Sequence, residues 1–261
     1  MRSSTRHQLK QNSFAETTVE TISWAKDHEK PLTTAAIAVA VVAVLLIGAY
    51  AFVNYRNQQA SQELAGALEK YNAPIRPAGE PASPLQLSYA SGEERAKAAN
   101  AEFTRIADKY SFTRNGRIAR YFAGITLHDL GDNAGAEKQL QKVAGSWDKE
   151  TGSLAKLALA SIFQDAGKTQ QAVDLYKALI EKPTTMVGKT TAEFELANLY
   201  ENTHQPLEAI KIYDKMQKDY PTSPIGQMAS QKLQTLRPPQ VQQQQLSPQM
   251  QQQAAPPAPA Q

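Results

Sequence analysis

The sequence predicts an all-α protein: one N-terminal transmembrane helix followed by a right-handed solenoid of paired helices. Three observations predict it. An apolar run of 23 residues, Pro31 to Val53, carries no charge. From Glu93 to Leu236 apolar residues recur at helical spacing, and no stretch alternates at period two for long enough to form a strand. Within that region a pattern of small and aromatic residues returns at offsets of 36 and 37 residues, the mark of a repeat architecture.

The apolar run reads PLTTAAIAVAVVAVLLIGAYAFV, and no charged residue falls between Lys30 and Arg56. At about 1.5 Å per residue it spans roughly 34 Å, enough for a hydrocarbon core of about 30 Å. A backbone in lipid must satisfy its own hydrogen bonds, which makes the run a helix. Tyr50 and Tyr55 lie near one end, where amphipathic rings favour the headgroup region. Gly48 is its only glycine, so it offers no GxxxG pairing face. Two other readings compete. A buried core helix is rarely this long and this free of charge. A cleaved signal peptide would use Ala49-Tyr50-Ala51 as its small-x-small site. However, Glu16, Glu20, Asp27 and Glu29 make a poor n-region, and the apolar run continues through Phe52 and Val53. The membrane anchor is the preferred reading.

The helix divides the chain. Residues 1–30 are a cytoplasmic tail with Arg2, Arg6, Lys10, Lys26 and Lys30, plus a weak helical pattern through Phe14, Val19, Ile22 and Trp24. Cations close to the span are tied, Lys26 and Lys30 before it against Arg56 and Lys70 after it. The rest of the tail tips the count towards an N-terminus inside and a large domain outside. Residues 54–92 hold a polar helix as far as Tyr71, then Pro74, Pro77, Pro81 and Pro84. That proline density excludes helix and favours an extended spacer between anchor and domain. Residues 93–236 form the repeat domain. Residues 237–261, with ten Gln and six Pro, are a solvated tail that cannot bury enough apolar surface to order itself.

Charge and cysteine usage exclude several classes. The chain carries +3 overall, and Glu93 to Leu236 holds 19 Lys and Arg against 18 Asp and Glu, so there is no electrostatic footprint for nucleic acid. Without cysteine there are no disulfides, thiolate metal sites, cysteine nucleophiles or lipidated cysteines.

The repeat can be aligned residue by residue. A first copy anchored at Arg117 sets Gly124 at its eighth position, Leu130-Gly131-Asp132 at the fourteenth to sixteenth, Ala136 at the twentieth and Leu140 at the twenty-fourth. A second, from Ser153, sets Ala160, Phe163, Ala166-Gly167-Lys168, Ala172 and Tyr176. A third, from Thr190, sets Ala197, Tyr200, Ala209, Tyr213 and Pro221. This pattern resembles the tetratricopeptide repeat, with small residues at eight and twenty and aromatics at eleven and twenty-four. Antiparallel helices cross closely only where side chains are small, aromatics fill the space beside the crossing, and proline ends the second helix. The first-helix tryptophan of the pattern is replaced by Arg120, Lys156 and Glu193, so the copies are degenerate. Ala99, Phe103 and Ile106 read as the second helix of an incomplete earlier copy, and Pro224 to Leu236 as a closing helix, about eight helices in all.

No constellation for catalysis emerges. The histidines, His7, His28, His128 and His204, show no metal-ligand spacing and no HExxH. Gly167-Lys168-Thr169 and Gly188-Lys189-Thr190 echo the end of a phosphate loop. Each lacks the earlier glycine, Ile162 and Pro183 standing there, and each reads better as a helix–helix turn. The sequence therefore predicts no enzyme, no cofactor and no metal, but a binding surface. In this architecture positions two, five, nine, twelve and thirteen of the first helices line the concave face. They select Ile118, Tyr121, Ile125, His128 and Asp129; Leu154, Leu157, Ser161, Gln164 and Asp165; and Thr191, Phe194, Asn198, Glu201 and Asn202. The apolar members suit an extended peptide or a partner helix. The competing reading is that Ile118, Leu154, Leu157 and Phe194 simply pack into the stack.

The order of parts resembles one family in particular. Val19-Glu20 and Trp24 precede a single membrane helix, and a polar helix and degenerate repeats follow, including RYFAGITLHDLGDNAGAEKQLQKVA from Arg120 to Ala144. Over roughly residues 16 to 220 this is similar to the bacterial ancillary subunit of the Sec translocon, a single-span inner-membrane protein. The resemblance implies a cytoplasmic N-terminus and a periplasmic repeat domain beside the channel. The partners it implies are Sec translocon subunits, a membrane-anchored peptidyl-prolyl isomerase and nascent or unfolded envelope proteins. Two alternatives remain: an organiser of wall synthesis or division, or a non-catalytic subunit of a membrane enzyme complex.

Overall fold

The computed structural model describes residues 29–83 and 85–237. The expected N-terminal tail up to residue 28, Pro84 of the linker, and the Gln/Pro-rich tail from residue 238 lie outside the described residues. Two compact units divide at Arg56 and Asn57.

The first unit contains the apolar part of helix α1, Glu29–Asn72. Every described side chain from Lys30 to Tyr55 is exposed. Ile37, Val44, Leu46 and Ile47 each keep about two thirds of their surface open. The segment is long and apolar enough to cross a membrane by length and composition.

The second unit begins with the rest of α1 and continues through eight helices: α2 (Gly92–Lys109), α3 (Arg114–Asp129), α4 (Asn133–Ala144), α5 (Lys149–Asp165), α6 (Thr169–Glu181), α7 (Lys189–Asn202), α8 (Pro206–Asp219) and α9 (Pro224–Leu236). From α2 onward each helix packs on the next, and α3 also touches α5 as α7 touches α9, the nearest-neighbour packing of a helical solenoid. Among the described residues the only β pairing is a single bridge between Ile75 and Tyr89.

The crossings form where the small residues stand. Ala136, Ala160, Ala172, Ala197 and Ala209 are fully buried, and Leu140, Tyr176 and Tyr213 fill the space beside them with at most 2% exposure. Gly124 marks a particularly tight crossing: a Cβ there would lie 2.6 Å from Leu140 Cγ. The turns within the three copies share one backbone solution. Gly131, Gly167 and His204 all take positive φ, at 80°, 70° and 60°. The next amide then reaches back to the helix, as Asp132 to Leu127, Lys168 to Phe163 and Gln205 to Tyr200.

Two turns the repeat pattern did not pick out are also alike. Thr113 caps α3 and Ser223 caps α9: each hydroxyl accepts from an amide three residues on, Gly116 and Gly226, and donates to the carbonyl of Tyr110 or Tyr220. The glycines are required by space, since a Cβ at either would fall within 2 Å of that tyrosine carbonyl oxygen.

The segment read as a free polar helix and an extended spacer behaves differently. Ala60, Leu64 and Ala67 are buried with Ala99, Phe103 and Ile106 of α2 and Ala119 and Ala123 of α3. The helix after residue 56 is thus the first packing partner of the repeats, because its small and apolar residues at helical spacing need a partner. The proline-rich segment is non-helical, as expected, yet folds back instead of extending. The Arg76 amide donates to Tyr89 and the Tyr89 amide to Pro74, at 2.9 and 3.1 Å, which pins the two ends of the loop together.

Candidate protein-binding surface

The candidate face lies on the first helices of the three copies, α3, α5 and α7. None of its fifteen residues is buried. Asp129, Ser161, Asp165, Thr191 and Asn202 are exposed; Ile118, Tyr121, Ile125, His128, Leu154, Leu157, Gln164, Phe194, Asn198 and Glu201 are half-buried. The apolar members divide their surface. Ile118 packs against the core shared by α1, α2 and α3, Tyr121, Leu154 and Leu157 against the central core, and Phe194 against the core of the last helices. Phe194 meets the Tyr213 ring edge-on at 5.8 Å. These side chains therefore serve the stack while keeping an accessible flank.

Adjacent copies approach each other across the face. His128 Nε2 stands 3.8 Å from the Asp165 carboxylate of the next copy, and its Nδ1 pairs with Asn133 Oδ1 at 2.7 Å. The structure thus brings the α3 and α5 rows close at His128 and Asp165, a proximity between copies that spacing alone did not reveal. The α7 row is held from its other side. The Tyr213 phenol donates to Asn198 at 2.7 Å and to Glu201 at 3.4 Å, and Lys232 of α9 donates to Glu201 at 3.0 Å. Burial, with the neighbouring Glu201 charge, pushes the Tyr213 phenol well above the usual tyrosine range, so it remains a donor. Burial also raises Tyr121.

One rim residue escaped the sequence reading. Tyr71, assigned to the end of the polar helix, donates to Asp129 at 3.3 Å and packs its ring near Phe103 and Phe122, at 6.1 and 6.0 Å. Ala60, Leu64, Ala67, Leu68 and Tyr71 recur at three- and four-residue steps, and that stripe was the available signal.

Among the described residues no cluster of His, Cys, Asp or Glu could hold a metal. The arrangement offers paired polar groups and half-open apolar side chains along helix faces, the chemistry of peptide or helix recognition.

The fold is that of a helical-repeat scaffold of the kind that binds other proteins. The profile of the tetratricopeptide repeat-like domains matches residues 23–238, and the chain belongs to that family. No curated protein matches it. Among solved structures, the nearly identical TPR-like repeats of a Podosopora anserina protein assigned to the kinesin light chains align over 61% of this chain and 83% of that one, with 16% identity and a TM-score of 0.47. A single-residue variant of the same repeats gives 16% identity, 61% and 82% coverage and a TM-score of 0.46.

Proposed function

We propose that the chain is a non-enzymatic scaffold tethered to the bacterial inner membrane by α1, with its N-terminus in the cytoplasm and its repeats in the periplasm. There it acts beside the Sec translocon, receiving emerging envelope proteins in company with a membrane-anchored peptidyl-prolyl isomerase. The observation that carries the tether is the apolar part of α1, whose described side chains from Lys30 to Tyr55 are all open. About twenty such residues in water are costly, and a bilayer removes that cost. The observation that supports protein binding is the row of half-open apolar residues on α3, α5 and α7. The translocon assignment rests on the likeness in part order. Its physical logic is effective concentration: a weak binder held at a channel exit meets each emerging chain far more often than a free one.

The test places a photo-crosslinker at Ser161 or Thr191, both exposed on the face, in intact cells. Adducts with channel subunits, the isomerase or emerging envelope proteins are expected. Adducts with unrelated cytosolic proteins alone would overturn the proposal.

A further inference from the structure

The repeat domain contains a second candidate feature, lined by none of the fifteen face residues. A cleft of about 360 Å³ opens between the turn preceding α3 and the end of α4. Phe112 and Trp147 supply apolar surface, Arg117, Arg120 and Lys142 supply cations, and no carboxylate lines it.

Its central residue is incompletely satisfied. The Arg117 side chain is 8% exposed, and its guanidinium lies 3.9 Å from the Trp147 ring centre. Nη1 donates weakly to the Phe112 carbonyl at 3.4 Å. Nε and Nη2 have no hydrogen-bond acceptor, and neither has the Ser146 hydroxyl on the cleft wall. Asp148 stands 3.8 Å from Nε, an ion pair too long to be a hydrogen bond, and its carboxylate is engaged by the Thr151 amide at 3.3 Å and hydroxyl at 2.8 Å. Buried guanidinium donors without acceptors are costly and call for a partner.

The other cations differ in availability. Arg120 is already engaged by Gln139, the Ala107 carbonyl and Asp108, each at 2.9 Å. Lys142 is exposed and makes no ion pair among the described residues. Above them Trp147 leaves 77% of its surface in solvent and Phe112 45%. Exposed tryptophan beside arginine is the composition of a binding hot spot.

We propose that this cleft binds an acidic residue flanked by an apolar one in an extended segment of a partner protein. Its carboxylate pairs with Lys142 in the field of the buried Arg117 guanidinium, and its apolar neighbour lies on Phe112 and Trp147. The cations without a lining carboxylate select an anion, and the two aromatic walls select apolar surface beside it. The volume, near the small end of ligand sites, suits one or two side chains. The partner's being a polypeptide rests on the scaffold reading above. The test needs neither a membrane nor a named partner, so this inference can fail while that reading stands.

The chain has two tryptophans, so Trp24→Phe leaves Trp147 as the sole indole emitter. The full chain with that change, in detergent, is titrated with a blocked peptide containing adjacent Leu and Asp, with its Leu-Asn counterpart, and with inorganic phosphate. The account expects saturable change in Trp147 emission with the Asp peptide, binding about tenfold weaker for the Asn peptide, and weakening by added salt. Lys142→Gln, an exposed change that spares folding, is expected to weaken the Asp peptide severalfold while leaving the Asn peptide unaltered. Equal binding of both peptides, or no response to either, overturns the proposal. So does phosphate that displaces the peptide at equal concentration, which would reduce the cleft to a simple anion site.

Discussion

The phenol of Tyr110 donates a 2.7 Å hydrogen bond to the carboxylate of Glu63, joining the end of α2 to the later part of α1. Lys109 and Arg105 reach the same carboxylate, each at 2.7 Å. One acidic residue thus gathers three donors from the first repeat helix. The hydrogen bond from Lys109, with those from Tyr110 and Arg105, outweighs the cost of burial and holds the Glu63 carboxyl at about 2, below its ordinary 4.5.

That depression sets a pH dependence. The folded value lies below the unfolded one, so the network's stabilisation is complete above about pH 5 and is lost as pH falls from 4.5 towards 2. Glu63 is partly open to solvent, with 26% of its side chain exposed, and screening limits the contribution to about 1 kcal/mol. Denaturant melts of the parent and Glu63→Gln proteins are expected to differ by that amount at pH 7 and to converge near pH 2. Equal stability at pH 7 would show that the network does not hold the later part of α1 to the repeats.

Gly124 predicts the sharpest packing defect. A methyl group there meets Leu140 Cγ at 2.6 Å and Cδ2 at 2.9 Å, and Leu140 is fully buried. Gly124→Ala is expected to cost about 2 kcal/mol in spite of its helix-propensity gain. Leu140→Ala alone should cost about 3 kcal/mol, and the double variant should lose less than the sum. Additivity of the two would contradict the contact.

His204 predicts a gain. It occupies the left-handed turn position that glycine fills in the two earlier copies, and it is exposed. A side chain in that conformation is strained, so His204→Gly is expected to stabilise by about 0.5 kcal/mol, whereas Gly167→Ala costs about 1 kcal/mol. Opposite signs in thermal melts would remove the claim that the three turns share one geometry.

The candidate face can be separated from the core it adjoins. Ser161 and Thr191 are exposed, and changing either to Arg is expected to shift stability by less than about 0.5 kcal/mol. Phe194→Ala, which strips a half-buried ring from Tyr213, should cost about 2 kcal/mol. If the face binds partners, all three changes reduce crosslinked adducts; a loss confined to Phe194→Ala would mean the row only packs.

How much was legible follows from the kind of signal each element leaves. The crossings at Ala136, Ala160, Ala172, Ala197 and Ala209 were readable because close helix approach admits little else, and repetition at 36 and 37 residues amplified a weak pattern. His204 hid the third turn, since only its alignment with Gly131 and Gly167 marks the position. The paired caps at Thr113 and Ser223 stand three repeat periods apart, but Lys149 and Met186 occupy the equivalent positions between them, so the recurrence is broken and left no pattern to read. The packing of Ala60, Leu64 and Ala67 was missed because proline density after Tyr71 suggested a spacer, and alanine carries a faint amphipathic signal. Of the candidate face, only the placement of its residues on α3, α5 and α7 was legible. The His128–Asp165 proximity and the cleft around Arg117 arise from contacts between turns and copies, which no single helix period encodes.

The central claim is that α1 crosses a membrane and leaves the repeats outside the cytoplasm. Protease added to intact cells whose outer membrane alone has been permeabilised tests it most directly, with the surviving fragment sized. Digestion to a fragment containing the N-terminal tail and the apolar part of α1 is the predicted result. Full protection of the repeats, while a control periplasmic protein is digested, would contradict the account and make the chain a cytoplasmic scaffold.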